Sequence, residues 1–200
     1  MGPRASMDGR GSKAAGGLPA DRSVAPVRKV NPEVVYWLLH MREEEKIARD
    51  VYWTLGQLWG QNIFSNITNS EQRHMDSMGL MLDRYGLVDP VVDDTVGVFT
   101  HPGFADLYTL LVTMGTESLM DAHKVGAKIE ELDIVDLRIA MHGVTDPVLM
   151  EVYENLSRGS RNHLRAYARQ IYNNGGTYVA EHLTQEEFDE IANSDMEPGN

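Results

Sequence analysis

Carboxylate and imidazole side chains recur in this sequence at helical spacing, inside segments that otherwise present an apolar face. In the segment SEQRHM, Glu71 and His74 are three residues apart, so a helix places both on one face, where they can contact one ion. Oxygen and imidazole ligands without thiolates suit iron or manganese, and zinc is an alternative. These residue types at this spacing therefore predict a metal-binding site.

The segment EEEKIARDVYWTL, residues 43–55, leaves two glutamates as candidates for the inward position. Glu45 fills the one vacancy in a stripe whose steps alternate between four and three residues. The apolar members of that stripe are Val34, Leu38, Met41, Ala48, Tyr52 and Leu55. A competing frame through Trp37 and Val51 turns Glu44 inward instead, and the pattern does not separate the two frames.

The second, third and fourth long helical patterns also place ligand-type side chains on their apolar stripes. The inward candidates there are Glu71, His74, Glu130, Asp133 and His163. Glu131 is the outward neighbour of Glu130, and an error of phase exchanges these two glutamates. Each of the four long helices therefore places at least one residue of a metal-ligand type on its inward stripe.

Each candidate also has an interpretation that needs no metal. Glu71 completes the capping box Thr68-x-x-Glu71 if the helix begins at Thr68, although the preceding NIFSNI favours an earlier start. His74 alone would be a core histidine with its hydrogen bonds satisfied. The remaining alternatives are buried hydrogen bonds, from Asp133 to a side chain of the fourth helix and from His163 to Tyr52 or Tyr167.

The cost of burial favours a cation over a set of unpaired carboxylates. An unpaired buried carboxylate costs several kcal/mol, so a cluster of them needs a cation, a partner or a proton on each member. By spacing, the arginines that could serve as partners point outward; they are Arg42, Arg49, Arg73 and Arg161.

Helical patterns dominate the chain, and the sequence predicts an all-α fold. The four long patterns end at Gly or Asn, which are typical helix C-termini, and cover about residues 32–58, 62–85, 116–141 and 146–173. Short connections make the first and second helices, and the third and fourth, antiparallel neighbours. Two accessory helices are predicted, one in GFADLYTLLVTMG within the long central connection and one in TQEEFDEIANS.

Composition sets the domain organisation and excludes several classes. Residues 1–30 read as a disordered tail, residues 31–192 as one helical domain and residues 193–200 as a flexible C-terminus. The chain has no cysteine, which excludes disulfides and thiolate sites, and its net charge of −12 disfavours a phosphate-binding surface. No apolar segment has the length of a membrane span or a signal peptide, so we expect a cytoplasmic protein without nucleic-acid or membrane partners.

Four segments resemble the ferritin-like superfamily of di-iron carboxylate bundles, and specifically an uncharacterised ferritin-like domain family of bacteria and archaea. They are MREEEKIARDVY, IFSNITNSEQRHMDSM, KVGAKIEELDIVDL and YENLSRGSRNHLRAY. The resemblance covers about residues 33–190 and implies a four-helix bundle with a long crossover between its second and third helices.

The same resemblance implies a site for two metal ions between the four helices. Such bundles take a Glu from each of two helices and a Glu-x-x-His pair from each of the other two. Carried over by position, the ligands are Glu45, Glu71, His74, Glu130, Asp133 and His163. Glu71 is the candidate bridge, with Glu130 as a second one, and Tyr52, Ser160 and Tyr167 are predicted to hold the ligands by hydrogen bonds.

One position departs from the pattern of the family. Ser160 stands where the fourth helix should carry the Glu of its Glu-x-x-His pair. Asp133, one turn after Glu130 on the neighbouring helix, could replace the lost carboxylate. Otherwise one metal position is weakened or the site holds a single ion.

The resemblance implies iron as the cofactor, with two ions per chain, and Mn or Zn as alternatives. The implied chemistry is oxidation of Fe(II) or reduction of O₂ or peroxide, which would make the protein a di-iron oxidoreductase. The alternative is a non-catalytic interaction module with one structural metal or none, which Ser160 favours. Homo-oligomerisation, as a dimer, also stays open.

Overall fold

The computed structural model describes residues 31–199, and it confirms the prediction of an all-α fold. Within this range there are six helices and no strands: α1 (Pro32–Trp59), α2 (Asn62–Tyr85), α3 (Pro102–Thr116), α4 (Leu119–Ala140), α5 (Pro147–Asn173) and α6 (Gln185–Asn193). The tail predicted for residues 1–30 lies outside the described residues, as does residue 200. No helix between residues 31 and 199 is long and apolar enough to cross a membrane.

The helix ends follow from local sequence signals. The Asn31 side chain accepts a hydrogen bond from the Glu33 backbone N–H, and Pro32 occupies the first helical position of α1. Gly60 ends α1 with a φ of 63°, a left-handed conformation that glycine adopts without strain. Thr184 and Glu187 form a capping box at the start of α6, the accessory helix predicted in TQEEFDEIANS.

The third long helix begins later than the sequence predicts. The expected start near residue 116 is wrong, because α3 continues to Thr116 and α4 begins only at Leu119. The Ser118 side chain accepts a hydrogen bond from the Asp121 backbone N–H and so caps α4. The accessory helix α3 is therefore separated from α4 by only two residues.

Two helical hairpins pack against each other. The α1–α2 hairpin contacts the α4–α5 hairpin through α1 against α4 and α2 against α5, while α3 packs on α1 and α4, and α6 on α5. The apolar core has two clusters, one around Met41, Met78 and Tyr153 and another around Tyr52, Phe64 and Tyr167. On α1, α2 and α5 the ligand-type residues fall between the segments that supply these clusters, so a polar layer interrupts the core.

Candidate metal centre

The inward stripes bury the ligand-type residues in this polar layer. Glu45, Glu71 and Glu130 are each at most 2% exposed, and Asp133 and His163 are also buried. The His74 side chain retains 12% exposure, so it lies at the edge of the layer. Because α2 begins at Asn62, Glu71 lies well inside the helix, and the alternative capping box with Thr68 is not formed. Thr68 instead donates its hydroxyl to the Phe64 carbonyl.

The first group of ligand-type side chains joins α1 to α2. His74 Nδ1 lies 2.7 Å from Glu71 Oε2 and 3.2 Å from Glu45 Oε2. One ligand atom from each of these three residues lies within 4.8 Å of the other two. We call Glu45, Glu71 and His74 the first triad; it has the size and the ligand types of a metal site.

The second group joins α2 to α4 and α5 and shares Glu71 with the first triad. His163 Nδ1 lies 2.8 Å from Glu71 Oε1 and 3.4 Å from Glu130 Oε2. The ligand atoms of Glu71, Glu130 and His163, the second triad, also lie within 4.8 Å of one another. Glu71 therefore offers one carboxylate oxygen to each triad.

Of the residues predicted to hold the ligands by hydrogen bonds, Tyr52 and Ser160 do so, whereas the Tyr167 hydroxyl is buried without a hydrogen-bond partner within residues 31–199. Tyr52 donates its hydroxyl to Glu130 Oε1 at 2.6 Å. The Tyr167 ring packs against Tyr52, with a distance of 5.4 Å between the ring centroids. Gly126 on α4 makes room for that ring, because a Cβ at this position would lie 2.4 Å from it.

Asp133 is held by Ser160 and does not join either triad. Ser160 on α5 donates a hydrogen bond to Asp133 Oδ2 and also contacts the Leu156 carbonyl. The other oxygen of Asp133 is buried and has no hydrogen-bond partner within residues 31–199. The structure thus forms the hydrogen bond to the fourth long helix that was the alternative for Asp133, while one oxygen stays available.

Burial and mutual charge set the protonation of the triads. Burial raises the pKa of Glu45 to about 8, against the opposing effect of His74. Burial also raises the pKa values of Glu130 and Asp133. For Glu71, burial is outweighed by His163 and His74, and its pKa is lowered. In the absence of a cation, Glu71 is thus the carboxylate that stays ionised most readily.

The triad carboxylates also raise the pKa values of the two histidines. Burial lowers the pKa of His163, but the charges of Glu71 and Glu130 outweigh it and raise the value to about 10. Burial of His74 is likewise outweighed by Glu45 and Glu71, so its pKa lies well above 6.5. A metal ion would have to displace these protons, since ligating imidazole is neutral on the bound nitrogen.

The glutamates that the sequence left as alternatives are also buried, but in other places. Glu44 turns away from both triads toward His40 and Asp136. Glu131 Oε2 accepts hydrogen bonds from three successive backbone N–H groups, those of residues 181–183. Glu45 and Glu130 are therefore the members of each pair that face the centre.

Three of the four arginines predicted to point outward have partners away from the triads, and for Arg49 the prediction is wrong because its side chain is buried. Arg42 pairs with Asp89, Arg49 with Asp50 and Asp94, and Arg161 with Glu197. Among the described residues, the salt-bridge partners of the triad carboxylates are histidines. Within residues 31–199, no lysine or arginine thus forms a salt bridge with the triads.

Two features of the site were missed by sequence reasoning. Gly159 on α5 faces the His74 ring, and a Cβ there would lie 2.6 Å from the ring atoms Cε1 and Nε2. A cavity of about 400 Å³ borders His74 and His163 and is also lined by Arg73 and Arg158. The glycine in the segment SRGSRNH was the sequence signal that could have revealed the first feature, whereas the cavity depends on how the helices pack.

The residues present fit a pair of divalent cations. Glu71 Oε1 and His163 Nδ1 approach to 2.8 Å, yet neither atom is satisfied as a hydrogen-bonding group. Glu45 Oε1 is also buried without a partner. Buried polar atoms are normally paired, so orphaned carboxylate and imidazole atoms that converge are suited to hold cations. The first triad could hold one ion and the second triad another, with Glu71 between them.

Comparisons with known proteins identify relatives without an assigned activity. A family model described as "Uncharacterized protein domain (DUF2202)" matches residues 34–195. The chain is 46% identical over 177 residues to uncharacterized protein MJ0754 of Methanocaldococcus jannaschii, covering 88% of this chain and 96% of that protein.

A solved structure has the same fold. The crystal structure of hypothetical protein MJ0754 from Methanococcus jannaschii DSM 2661 matches with a TM-score of 0.83, at 46% identity, over 88% of this chain and 100% of that chain. The helical arrangement is therefore shared with an experimentally determined relative, whose description states no function.

Proposed function

The chain belongs to the DUF2202 family, whose description assigns no activity, and from its buried ligand set we propose that it is a metal-binding protein with a two-metal centre. The observation that carries the proposal is the position of Glu71. Its two oxygens contact two different histidines, His74 on α2 and His163 on α5, which belong to different triads. A structural salt bridge needs one histidine for one carboxylate, whereas this carboxylate lies between two sets of convergent ligands.

The proposal includes a ferritin-like four-helix bundle as the architecture. Its four helices would be α1, α2, α4 and α5, with α1 against α4 and α2 against α5. The long connection between α2 and α4, which contains α3, would be the crossover. Each of the four helices supplies at least one triad residue, as the bundle pattern requires.

Iron is the metal that we propose, with manganese or zinc as alternatives. Three carboxylates and two imidazoles without thiolates are the ligand types that suit these ions. Bound as Fe(II), two ions would supply the two electrons that, with two protons, reduce one peroxide to two waters. O₂ is the alternative oxidant, and oxidoreductase activity of this kind is the proposed function.

The residues of the chain would orient the ligands and admit a small oxidant. The Tyr52 hydroxyl fixes the rotamer of Glu130 by its hydrogen bond to Oε1. Ser160 holds one oxygen of Asp133, which leaves the other free beside the centre. The cavity next to His74 and His163 is large enough for O₂ or peroxide, and Arg73 and Arg158 give its lining a positive charge.

Metal content per chain tests the proposal most directly. Wild-type protein and a Glu71→Ala variant would be loaded with Fe(II) without oxygen, desalted and analysed for metal. We expect Glu71→Ala to hold two ions fewer than wild type, because both triads lose their shared ligand. The exposed Glu151→Gln on α5 is the matched control and should retain the wild-type content. Equal metal content in wild type and Glu71→Ala would overturn the proposal.

A second candidate function is a non-catalytic interaction module with one structural metal or none. Ser160 favours it, because a hydroxyl at the inward position removes one carboxylate from the expected set and closes a pair with Asp133. The two functions differ in whether the protein consumes peroxide. Fe(II)-loaded protein should consume peroxide in a manner that depends on Glu71 if it is an oxidoreductase, whereas a module with a structural ion would gain stability from the metal and consume none.

A further inference from the structure

A separate buried polar cluster lies beside the proposed two-metal centre, on α1 and α4. It consists of His40, Glu44 and Asp136, whose ligand atoms lie within 4.8 Å of one another. Glu44 and Asp136 come from different helices, and His40 is one helical turn before Glu44 on α1. None of the three belongs to either triad, so this cluster could bind an ion without using Glu71.

The Glu44 side chain is buried in this cluster without satisfied hydrogen bonds. The residue is only 4% exposed, and neither Oε1 nor Oε2 has a hydrogen-bond partner among residues 31–199. A buried carboxylate without partners costs several kcal/mol. This unsatisfied carboxylate distinguishes the cluster from a chance group of acidic residues.

His40 is close to both carboxylates; burial lowers its pKa, but Asp136 and Glu44 outweigh burial and raise it to about 9, so a bound ion would have to displace a proton from the ring. Its Nε2 makes a hydrogen bond of 3.4 Å with Asp136 Oδ2 and lies 3.4 Å from Glu44 Oε2, and both distances are long for a charge-assisted hydrogen bond. Aromatic neighbours hold the ring: Tyr36 stacks on it at 5.4 Å between centroids and Phe104 lies at 5.1 Å. The imidazole is thus oriented with one nitrogen toward the space between the two carboxylates.

Charge and access suit a divalent transition-metal ion. Two carboxylates and one neutral imidazole match the charge of a dication and combine the ligand types that iron, manganese and zinc accept. A cavity of about 500 Å³ reaches His40 and is also lined by Tyr36, Glu43 and His101. A hydrated ion could approach through this cavity and keep waters in its remaining coordination positions.

We propose that His40, Glu44 and Asp136 form a third cation site for a divalent transition-metal ion, distinct from the two triads. The site lies next to the proposed centre, because Glu44 precedes Glu45 and Asp136 is one turn after Asp133. It goes beyond the proposed function and does not depend on it, since neither His40 nor Asp136 contacts a triad residue through the salt bridges of the described chain.

Mn(II) binding to paired variants tests this site. Equilibrium dialysis with Mn(II) alone would count the ions bound per chain in wild type, Glu44→Gln, Glu71→Ala and the double variant. We expect Glu44→Gln to bind one ion fewer than wild type. We also expect Glu71→Ala to retain one ion, which the double variant loses. Asp106→Asn, an exposed change on α3, should bind as wild type does.

Spectroscopy on the Glu71→Ala variant identifies the ligand. Electron spin echo modulation from an imidazole nitrogen on the retained Mn(II) should disappear when His40→Phe is added. Thermal unfolding and circular dichroism would establish that each variant is folded. Equal ion counts in Glu44→Gln and wild type, or a nitrogen signal that survives His40→Phe, would overturn the third site. If Glu71→Ala loses no ion while Glu44→Gln loses one, the two-metal centre fails and the third site stands.

Discussion

Helix α1 buries two sets of charged side chains on different faces, and they differ in how their charges are balanced. On one face, Asp50 Oδ2 accepts hydrogen bonds from Lys46 at 2.5 Å and from the Gly97 backbone N–H at 3.0 Å. Asp50 Oδ1 accepts two more from Arg49, at 2.9 and 2.7 Å. On the other face, Glu45 has one histidine neighbour and an oxygen without a partner.

The charged residues around Asp50 form a structural ion network, whereas Glu45 belongs to a candidate binding site. Lys46 also donates to the Thr95 carbonyl and lies 4.6 Å above the Phe99 ring, so the network fastens the connection before α3 onto α1. Its members are a lysine, an arginine and a carboxylate whose two oxygens both accept hydrogen bonds. The triads contain carboxylates and titratable imidazoles with orphaned atoms, which is the arrangement that a metal ion would complete.

The largest expected effect comes from removing one carboxylate from each set. In chelator, Asp50→Asn should destabilise the fold by about 3–5 kcal/mol, because Lys46 and Arg49 stay buried beside a neutral amide. Glu45→Gln should change the stability of metal-free protein by less than about 1 kcal/mol, because burial raises the pKa of Glu45 to about 8 and the group is already protonated at neutral pH.

Urea unfolding of Asp50→Asn and Glu45→Gln, each with and without Mn(II), measures these changes in stability. Stabilisation by Mn(II) should persist in Asp50→Asn, relative to its own metal-free form, and should be reduced in Glu45→Gln. Similar losses of stability in the two metal-free variants would remove the distinction between the two faces of α1.

A methyl group placed against His74 should weaken metal binding without loosening the fold. Gly159→Ala introduces a Cβ that would lie 2.6 Å from the His74 ring, so the ring must move. We expect Mn(II) affinity to fall by about 10–100-fold, as when the support of a ligand is lost. Gly79→Ala on α2 is the control, because its Cβ would make an ordinary 3.8 Å contact with Arg42. Unchanged affinity in Gly159→Ala would mean that His74 is not a ligand.

Metal uptake should release protons and strengthen with rising pH. Near pH 7 about two protons or more should leave each chain, since the pKa values of Glu45 and His163 are raised to about 8 and about 10 without metal. Each released proton makes the apparent affinity rise about tenfold per pH unit. Calorimetric titration with Mn(II) in buffers of different ionisation enthalpy counts these protons, and identical heats in all buffers would contradict the assignment.

The same pKa shifts decide whether the metal-free protein becomes more or less stable as the pH rises. Above the ordinary Glu value of 4.5, folded metal-free protein holds a proton on Glu45 that the unfolded chain has lost, and the raised pKa of His163 acts in the same direction. Stability should therefore fall as the pH rises from about 5 to about 8. Chemical unfolding in chelator across this range provides the measurement.

The smallest expected effect concerns the ion pairs of Glu197 in the C-terminal segment, whose carboxylate side chain is 30% exposed. Glu197 contacts Arg161 and Arg165, and Arg161 first, then Arg165, lower the pKa of Glu197 to about 2. Glu197→Gln should cost less than about 1 kcal/mol, and less at high salt. The contribution is present above the ordinary value of 4.5 and is lost as the pH falls toward 2. Unfolding of both proteins at low and high salt would show it, and an effect as large as that of Asp50→Asn would mean that exposure does not govern these pairs.

Much of the fold and of the candidate centre could be predicted from the sequence. Helix periodicity placed Glu71 on a buried stripe, because one face of each helix packs against other helices, but it left Glu44 and Glu45, and Glu130 and Glu131, as alternatives for the inward position. Helix caps such as Asn31 and Thr184 were predictable, because they depend on side chains within a few residues. The ferritin-like architecture and the metal remain proposals.

Periodicity did not predict the burial of charged residues outside those stripes. Glu43 accepts hydrogen bonds from the backbone N–H groups of Thr100 and His101, and Asp50 from that of Gly97. These residues belong to the connection that covers the outer face of α1. Residues 181–183 cover Glu131 in the same way. A helical pattern records only the apolar contacts of a face, so a face covered by hydrogen-bonding loops still reads as exposed.

The sequence by itself determined the helices, the inward face of each to within one residue, and the types of ligand on those faces, since these depend on spacing and local hydrogen bonds. Only the tertiary structure decided which of those side chains meet: that Glu71 lies between His74 and His163, that Asp133 pairs with Ser160, and that Glu44 faces His40. The physical reason is that contacts between helices depend on axial shift and rotation, which the packing of all four long helices sets together.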